Sequence, residues 1–285
     1  MSIEALDYQT LFEKIENGEL EELAAVYHQL GCLSTNLSRA ISFYKKSIEI
    51  NLSYRSVDGG LLSASYSNIG ALLQKRADYD EALKYHRRAL NIDLRDPDIN
   101  QLKIADRYND IGSVLRDYGN YKEAKDHFHR ALNIQTKYTS FNDPILVKTY
   151  NNFGSLYHLM DQYSLAFEYY EKTLEILEAY LPLQHSALIY IYSKLGLLYY
   201  VMKNYTAAFS CEKKAFEIQE KIVSSDHPSL AIRHFNMAVV LESLKLNETA
   251  IDHITRAVEI LGQTPGPHQR KIRKYQRYLQ QLHEK

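Results

Sequence analysis

The feature of this sequence that most restricts its fold is a repeat of 42 residues. Alanine recurs at that interval at Ala40, Ala82, Ala124, Ala166, Ala208 and Ala250. Isoleucine recurs in the same phase at Ile50, Ile92, Ile134, Ile176, Ile218 and Ile260. Glycine does so at Gly70, Gly112, Gly154 and Gly196, and Ala238 follows in the next copy. Because the copies follow one another without an insertion, the fold must be built by stacking one structural unit.

Each copy has the pattern of two helices joined by a short turn. After Tyr108, apolar or small residues follow at intervals of three, four and seven, which is typical of one helix face. The pattern breaks at residues 118–120, and helical spacing resumes from Tyr121 to Gln135. We therefore predict antiparallel helices A and B in every copy. The repeated glycine and alanine indicate places where two helix backbones approach closely.

The composition agrees with a helical protein and argues against several functional classes. The chain has 285 residues with only 11 glycines and 6 prolines, too few for the many chain reversals of a sandwich or barrel. Its 34 basic and 35 acidic residues nearly balance, which argues against binding to nucleic acid or membranes through bulk charge. Two distant cysteines and a start without an apolar leader predict a reduced, cytoplasmic protein.

Two stretches of the chain resemble a known repeat family. Residues 150–176 read YNNFGSLYHLMDQYSLAFEYYEKTLEI, and residues 224–244 read SSDHPSLAIRHFNMAVVLESL. The second contains an Asp-His-Pro helix start, in which Pro228 suits the first helical position. Together they resemble the tetratricopeptide repeat (TPR) in its 42-residue form, found in kinesin light chains. The resemblance implies an all-α fold, a right-handed α-solenoid of helix-turn-helix TPR repeats.

The repeat phase predicts three segments. Residues 21–262 form six TPR repeats of 42 residues. Residues 1–20 form an N-terminal capping helix, which is either a decayed repeat or a helix without repeat ancestry. Residues 263–285 form a basic C-terminal helix whose apolar positions share one face, and we expect it to cap the last repeat. On this division the 285 residues leave no room for a catalytic domain.

No catalytic, cofactor or metal motif stands out. The sequence has no paired-cysteine spacing, glycine-rich phosphate loop, nucleophile elbow or zinc-binding HExxH. His127 and His129 point about 200 degrees apart around a helix, so they do not chelate one ion easily. Eight of the 24 tyrosines share two repeat positions, which indicates structural residues rather than a nucleic-acid stacking surface. We predict no enzyme activity, no cofactor, no metal and no nucleic-acid or membrane partner.

Polar residues recur on helix A outside its apolar face. One position holds Asn68, Asp110, Asn152, Lys194 and Asn236, and the position before it holds Ser67, Asn109, Asn151, Ser193 and Phe235. Asparagine offers a donor and an acceptor, so it can hydrogen-bond the main chain of an extended peptide. In TPR domains that hold peptides, asparagines at comparable helix A positions have this role, as the resemblance implies. The alternative is that these side chains only bond within their own repeats.

The charges near this polar ladder are mixed. Lys148, Lys194 and Arg116 lie among Asp106, Asp110 and Asp117. This departs from the basic groove that a kinesin light chain needs for acidic cargo motifs. The sequence also lacks the heptad segment by which such a chain joins a motor heavy chain, so a motor subunit is not expected. The candidate peptide-binding residues are Asn68, Asn109, Asp110, Arg116, Lys148, Asn151, Asn152, Lys194 and Asn236.

The function that these observations favour is a non-catalytic protein–protein interaction scaffold that binds extended peptide segments in its concave TPR groove. The alternative is a regulatory TPR array that acts beside a catalytic domain of the transferase type. A third interpretation assigns the basic C-terminal helix to acidic lipid or RNA, although a solvated face on a capping helix explains the same charges.

Overall fold

The structure is a computed structural model that describes residues 20–53, 58–263 and 268–284. Residues 1–19 of the predicted N-terminal cap lie outside this description. The described residues form thirteen α-helices and one short 3-10 helix, without a strand. The chain divides into two compact units, of which unit 1 ends at Phe141 and unit 2 begins at Asn142.

Unit 1 contains the first six helices. They are α1 (Leu20–Leu33), α2 (Leu37–Ser53), α3 (Gly59–Lys75), α4 (Tyr79–Asp93), α5 (Gln101–Tyr118) and α6 (Tyr121–Tyr138). Unit 2 begins with the 3-10 helix Pro144–Leu146. It continues with α7 (Val147–Leu159), α8 (Tyr163–Tyr180), α9 (Ser186–Val201), α10 (Tyr205–Ile222), α11 (Pro228–Ser243), α12 (Asn247–Gln263) and α13 (Gln269–His283).

The helices pack as successive A and B pairs. Unit 1 contains the pairs α1–α2, α3–α4 and α5–α6, and unit 2 contains α7–α8, α9–α10 and α11–α12. The predicted all-α fold of helix-turn-helix repeats is therefore confirmed. The predicted boundaries between repeats and caps stay predictions.

The alanine series lies at the contact between helices A and B. Its first member is 1% exposed and the other five are completely buried. A methyl side chain at this position lets the two helices of a pair approach closely, and any longer side chain would have to push them apart. The 42-residue alanine signal therefore reports the tightest contact of each pair.

The glycine series faces large side chains on helix B. A Cβ atom added at Gly112 would lie 2.5 Å from the Phe128 ring, and one at Gly154 would lie 2.5 Å from the Tyr170 ring. Both distances are shorter than van der Waals contact. Glycine at this position therefore makes room for a ring that helix B inserts under helix A.

The turns between helices A and B share one backbone conformation. Ala77, Gly119, Asp161, Lys203 and Lys245 are spaced by 42 residues and all have positive φ, between 57° and 90°. The next residue starts helix B, and Asn120 and Asn204 at this position accept hydrogen bonds from the first turn. One left-handed residue and one N-cap thus complete each reversal.

A buried ion pair joins α4 to α5 in unit 1. Arg107 Nε donates to Asp93 Oδ2 over 2.8 Å, and Lys103 Nζ lies 3.0 Å from Asp93 Oδ1. Burial acts to raise the pKa of Asp93, but hydrogen bonds from Ser63, Arg107 and Lys103 outweigh it and lower the pKa. Asp93 is therefore held as a carboxylate inside the helix stack.

Helix α13 packs on α12 through one apolar face. Tyr275 and Leu282 are buried in the same cluster as Ile254 and Ile260 of α12. The basic residues of α13 are exposed to solvent: Arg270, Lys271, Arg273, Lys274 and Arg277. This arrangement agrees with the proposed capping role, in which one face shields the last pair and the other meets water.

Removal of residues 267–285 is expected to lower the free energy of unfolding by about 2 kcal/mol, since the apolar surface of α12 becomes exposed. The truncated protein should melt earlier and scatter light, while far-ultraviolet circular dichroism still shows helix. Deletion of Glu284 and Lys285 alone, beyond the end of α13, should change neither property. Unchanged melting after the long truncation would exclude the capping role.

Candidate functional site

In unit 1, the predicted binding residues make contacts inside the protein. Asn68 hydrogen-bonds the Tyr44 hydroxyl, and Asn109 is completely buried. Asp110 Oδ2 accepts a hydrogen bond from Ser67 Oγ over 3.2 Å, which joins α3 to α5. Arg116 pairs with Asp117 on its own helix at 2.8 Å. These side chains serve the packing of unit 1, as the alternative interpretation of the polar ladder expects.

Further hydrogen bonds close the space between α3 and α5. Gln74 Nε2 donates to Ser113 Oγ over 3.0 Å and to Asp117 Oδ2 over 2.6 Å. Together with the bond from Ser67 to Asp110, they bridge the two A helices near both ends of their contact. Unit 1 therefore uses its polar ladder to hold neighbouring A helices together.

In unit 2, three predicted residues lie on α7. Lys148 is exposed, Asn151 is half-buried and Asn152 is buried. The buried Oδ1 atom of Asn151 accepts no hydrogen bond from any described residue. The structure does not bring these three side chains into a common cavity with Lys194 or Asn236.

Lys194 and Asn236 do line one pocket, which lies between α9 and α11. We name it the Glu212 pocket, after the residue that α10 contributes. It has a volume of about 440 Å³, within the range of pockets that hold small ligands. Its other main lining residues are Tyr190, Gly196, Tyr200, Phe235 and Val239. The lining is largely apolar, so the few polar groups decide which ligand is accepted.

Glu212 supplies the buried polar group of this pocket. Its side chain is 5% exposed, and its Oε2 lies 3.3 Å from Arg233 Nη1. Asn236 Nδ2 donates to both carboxylate oxygens over 3.3 Å. Burial raises the pKa of Glu212, while Arg233 and Asn236 oppose that rise. The carboxyl group therefore lies in a weakly polar environment with three long polar contacts.

The mouth of the Glu212 pocket carries exposed apolar side chains and one cation. Tyr190 is 48% exposed and Leu197 is 47% exposed, one turn on either side of Lys194 on α9. The Lys194 ammonium lies over the Tyr190 ring, 5.2 Å from its centroid. These residues form a continuous stripe on α9, which is the kind of exposed apolar surface that marks interaction sites.

The pocket exists because one repeat lacks the ring that others insert under helix A. The position holds Tyr44, His86, Phe128, Tyr170, Glu212 and Ile254 in successive copies. Glutamate carries no ring, and its Cγ lies 3.2 Å from a Cβ built on Gly196. The sequence interpretation missed Glu212 because it considered only helix A, although sorting helix B by the same phase reveals this exception.

The rest of the described chain offers no other chemical centre of this kind. Among the described residues, no three His, Cys, Asp or Glu side chains cluster so that they could hold a metal ion. None of the helices described is both long and apolar enough to cross a bilayer. Both free cysteines, Cys32 and Cys211, lie in different units.

Solved structures show the same fold with low sequence identity. BtubC (BKLC) from P. vanneervenii is 21% identical, with a TM-score of 0.70 over 82% of this chain and 96% of that chain. A putative kinesin light chain with nearly identical TPR-like repeats from Podosopora anserina is 16% identical, with a TM-score of 0.61 over 71% and 96%. PilF from Pseudomonas aeruginosa is 18% identical, with a TM-score of 0.56 over 91% and 99%. At these identities the similarity establishes the fold alone.

The family assignment comes from the sequence itself. The tetratricopeptide repeat model matches residues 20–95, 61–137, 103–179 and 187–263, and these matches cover most of the chain. No protein of curated function has a sequence that matches this one. The predicted resemblance is confirmed, and the repeat fold is one that serves protein–protein interaction. This chain belongs to the tetratricopeptide repeat family.

Proposed function

We propose that this chain is a non-catalytic scaffold whose unit 2 binds an extended peptide segment of a partner protein along α9 and α11. The observation that carries this proposal is the Glu212 pocket, which places Lys194 and Asn236 on opposite walls of one open space. In this proposal the peptide lies across the pocket mouth, and one of its side chains enters.

The contrast between the two units supports this assignment. The A helices α3 and α5 of unit 1 are tied together by Ser67 and Gln74. Between α9 and α11 of unit 2, hydrogen bonds link Arg233 to Ser193 and Ser243 to Tyr200, and a cavity remains beside them. The exposed stripe of Tyr190, Lys194 and Leu197 at its mouth provides an apolar surface for the rest of the peptide.

Asn236 is the residue that we expect to hold the peptide backbone. Its Nδ2 atom donates to Glu212, so the orientation of the amide is set by a buried partner. Its Oδ1 atom is then the acceptor for a peptide N–H group. A fixed amide loses little conformational entropy on binding, which favours its use as a backbone clamp.

The partner should be identified by affinity capture with the intact chain, followed by tandem mass spectrometry. Val239→Trp serves as the blocked variant, because Val239 is half-buried in the pocket wall and the indole would fill the cavity. Proteins captured by the wild type and lost with the blocked variant are candidate partners. A capture profile that is the same for both proteins would place binding elsewhere on the chain.

On a peptide recovered in this way, Asn236→Ala is expected to weaken binding about two- to tenfold, because one hydrogen bond is lost. Titration calorimetry measures the affinity, and circular dichroism checks that the helices remain. Asn68→Ala in unit 1 is the matched control, since it removes the same side chain from the corresponding position and should leave affinity unchanged. If the two variants bind equally well, Asn236 does not hold the peptide.

A further inference from the structure

We infer that the Glu212 pocket selects a tyrosine phenol, a neutral six-membered ring with one hydroxyl donor, from the bound peptide. This inference rests on the proposed function and adds the chemistry of the side chain that enters. Three features carry it: the ring that this repeat lacks, the buried acceptor and the balance of charges around it.

The shape argument comes from the other repeats of the same chain. The position of Glu212 is filled by a six-membered ring at Phe128 and Tyr170, each packed over a glycine of helix A. The Tyr170 hydroxyl forms a hydrogen bond of 3.1 Å with Ser155 Oγ. In the fifth copy the glycine is kept as Gly196 but the ring is absent, and a cavity is present. A ring from a partner can therefore pack against surfaces that this repeat otherwise reserves for its own.

The polar argument comes from Glu212. A carboxylate offers about four lone-pair positions, and the contacts from Arg233 and Asn236 are all 3.3 Å long. These contacts are longer than the usual range of charge-assisted hydrogen bonds. A phenol hydroxyl can approach more closely, and it brings no charge that must be desolvated. The acceptor therefore favours a ring with a donor over a plain hydrocarbon ring.

The charge argument excludes ionised side chains. Arg233 lies behind Glu212 and Lys194 lies at the mouth, so two cations already surround one carboxylate. A third cation would meet net repulsion, and an anion would have to lie beside the buried carboxylate. Burial raises the pKa of Glu212, which shows how poorly this environment tolerates negative charge. A neutral donor avoids both penalties.

The test uses side-chain analogues, so it does not depend on a partner being known. Dissociation constants of p-cresol, toluene, 3-methylindole and n-butylammonium are measured by ligand-observed nuclear magnetic resonance. We expect p-cresol to bind about tenfold more tightly than toluene, because its hydroxyl bonds a charged or strongly polar acceptor. The amine should bind more weakly than p-cresol, and the larger indole should also bind more weakly.

Variants connect the result to this pocket. Glu212→Gln keeps the size and an acceptor oxygen, so p-cresol should bind within about threefold of wild type. Val239→Trp should abolish binding of all four probes, and Glu212→Phe should do the same by restoring the ring found at Phe128. Circular dichroism shows which variants are folded, and two filling variants on different helices keep the test valid if one fails to fold.

Two kinds of failure can be told apart. Equal affinity for p-cresol and toluene, tighter binding of the amine or indole, or binding that survives both folded filling variants would overturn the phenol assignment. None of these outcomes affects a recovered peptide that is lost with Val239→Trp, which would still support the proposed function. Conversely, selective p-cresol binding without any captured peptide would contradict peptide binding and leave the phenol site standing.

Discussion

Replacing Ala166 by arginine is expected to lower the free energy of unfolding by about 3–5 kcal/mol. The Ala166 side chain is completely buried where α7 and α8 pack together. Arginine at this position must either push the helices apart or leave a guanidinium without a partner in the helix contact. Urea denaturation followed by circular dichroism measures the loss.

Leu165→Arg is the matched control for this substitution. Leu165 precedes Ala166 on α8 but is 39% exposed, so arginine there can reach water. We expect the control to unfold within about 0.5 kcal/mol of wild type. If Ala166→Arg were as stable as the control, the 42-residue alanine series would not mark the contact between helices A and B.

The second large effect is expected at the buried ion pair of unit 1. Asp93→Ala should cost about 3–5 kcal/mol, since the substitution leaves Arg107 buried without its carboxylate. Arg107 and Asp93 are both buried, and Lys103 loses the same partner. The double variant Asp93→Leu with Arg107→Leu should recover most of this loss, because it removes both charges together. A double variant that is less stable than Asp93→Ala would contradict this account.

The same carboxylate predicts how stability depends on pH. The pKa of Asp93 is lowered in the folded protein, so its contribution is complete above about pH 4, the ordinary pKa of aspartate. The contribution is lost as the pH falls through the lowered value, where the folded carboxylate takes up a proton. Wild type should therefore lose more stability than Asp93→Ala between about pH 4 and pH 2. Parallel curves for the two proteins would show that Asp93 does not titrate differently on folding.

The fold was predictable because its core is periodic. Each copy places alanine, glycine and isoleucine at the same positions, and such a repetition is compatible with one packing unit that stacks on itself. Helix boundaries followed from the break at residues 118–120 and from Pro228 at a helix start. Local chemistry determines these features, so no knowledge of distant contacts was needed.

The site was only partly predictable from the sequence. Lys194 and Asn236 were recognised as polar positions of helix A, and both line the Glu212 pocket. Asn109 has the same sequence signal but is completely buried, because burial depends on how neighbouring helices pack. Glu212 could have been found by comparing the B helices. The cavity itself could not, since it depends on the space that remains between α9 and α11.

The left-handed turn residues show where this scaffold has room for engineering. Four of the five are not glycine, and a side chain in this conformation costs about 1–2 kcal/mol. In a repeat protein, gains at separate copies add nearly independently. Ala77, Asp161, Lys203 and Lys245 are thus four places where a designer could strengthen the array, none of which lines the Glu212 pocket. A sturdier version of this protein could then tolerate destabilising changes in the pocket, which is how a natural scaffold becomes a starting point for new specificities.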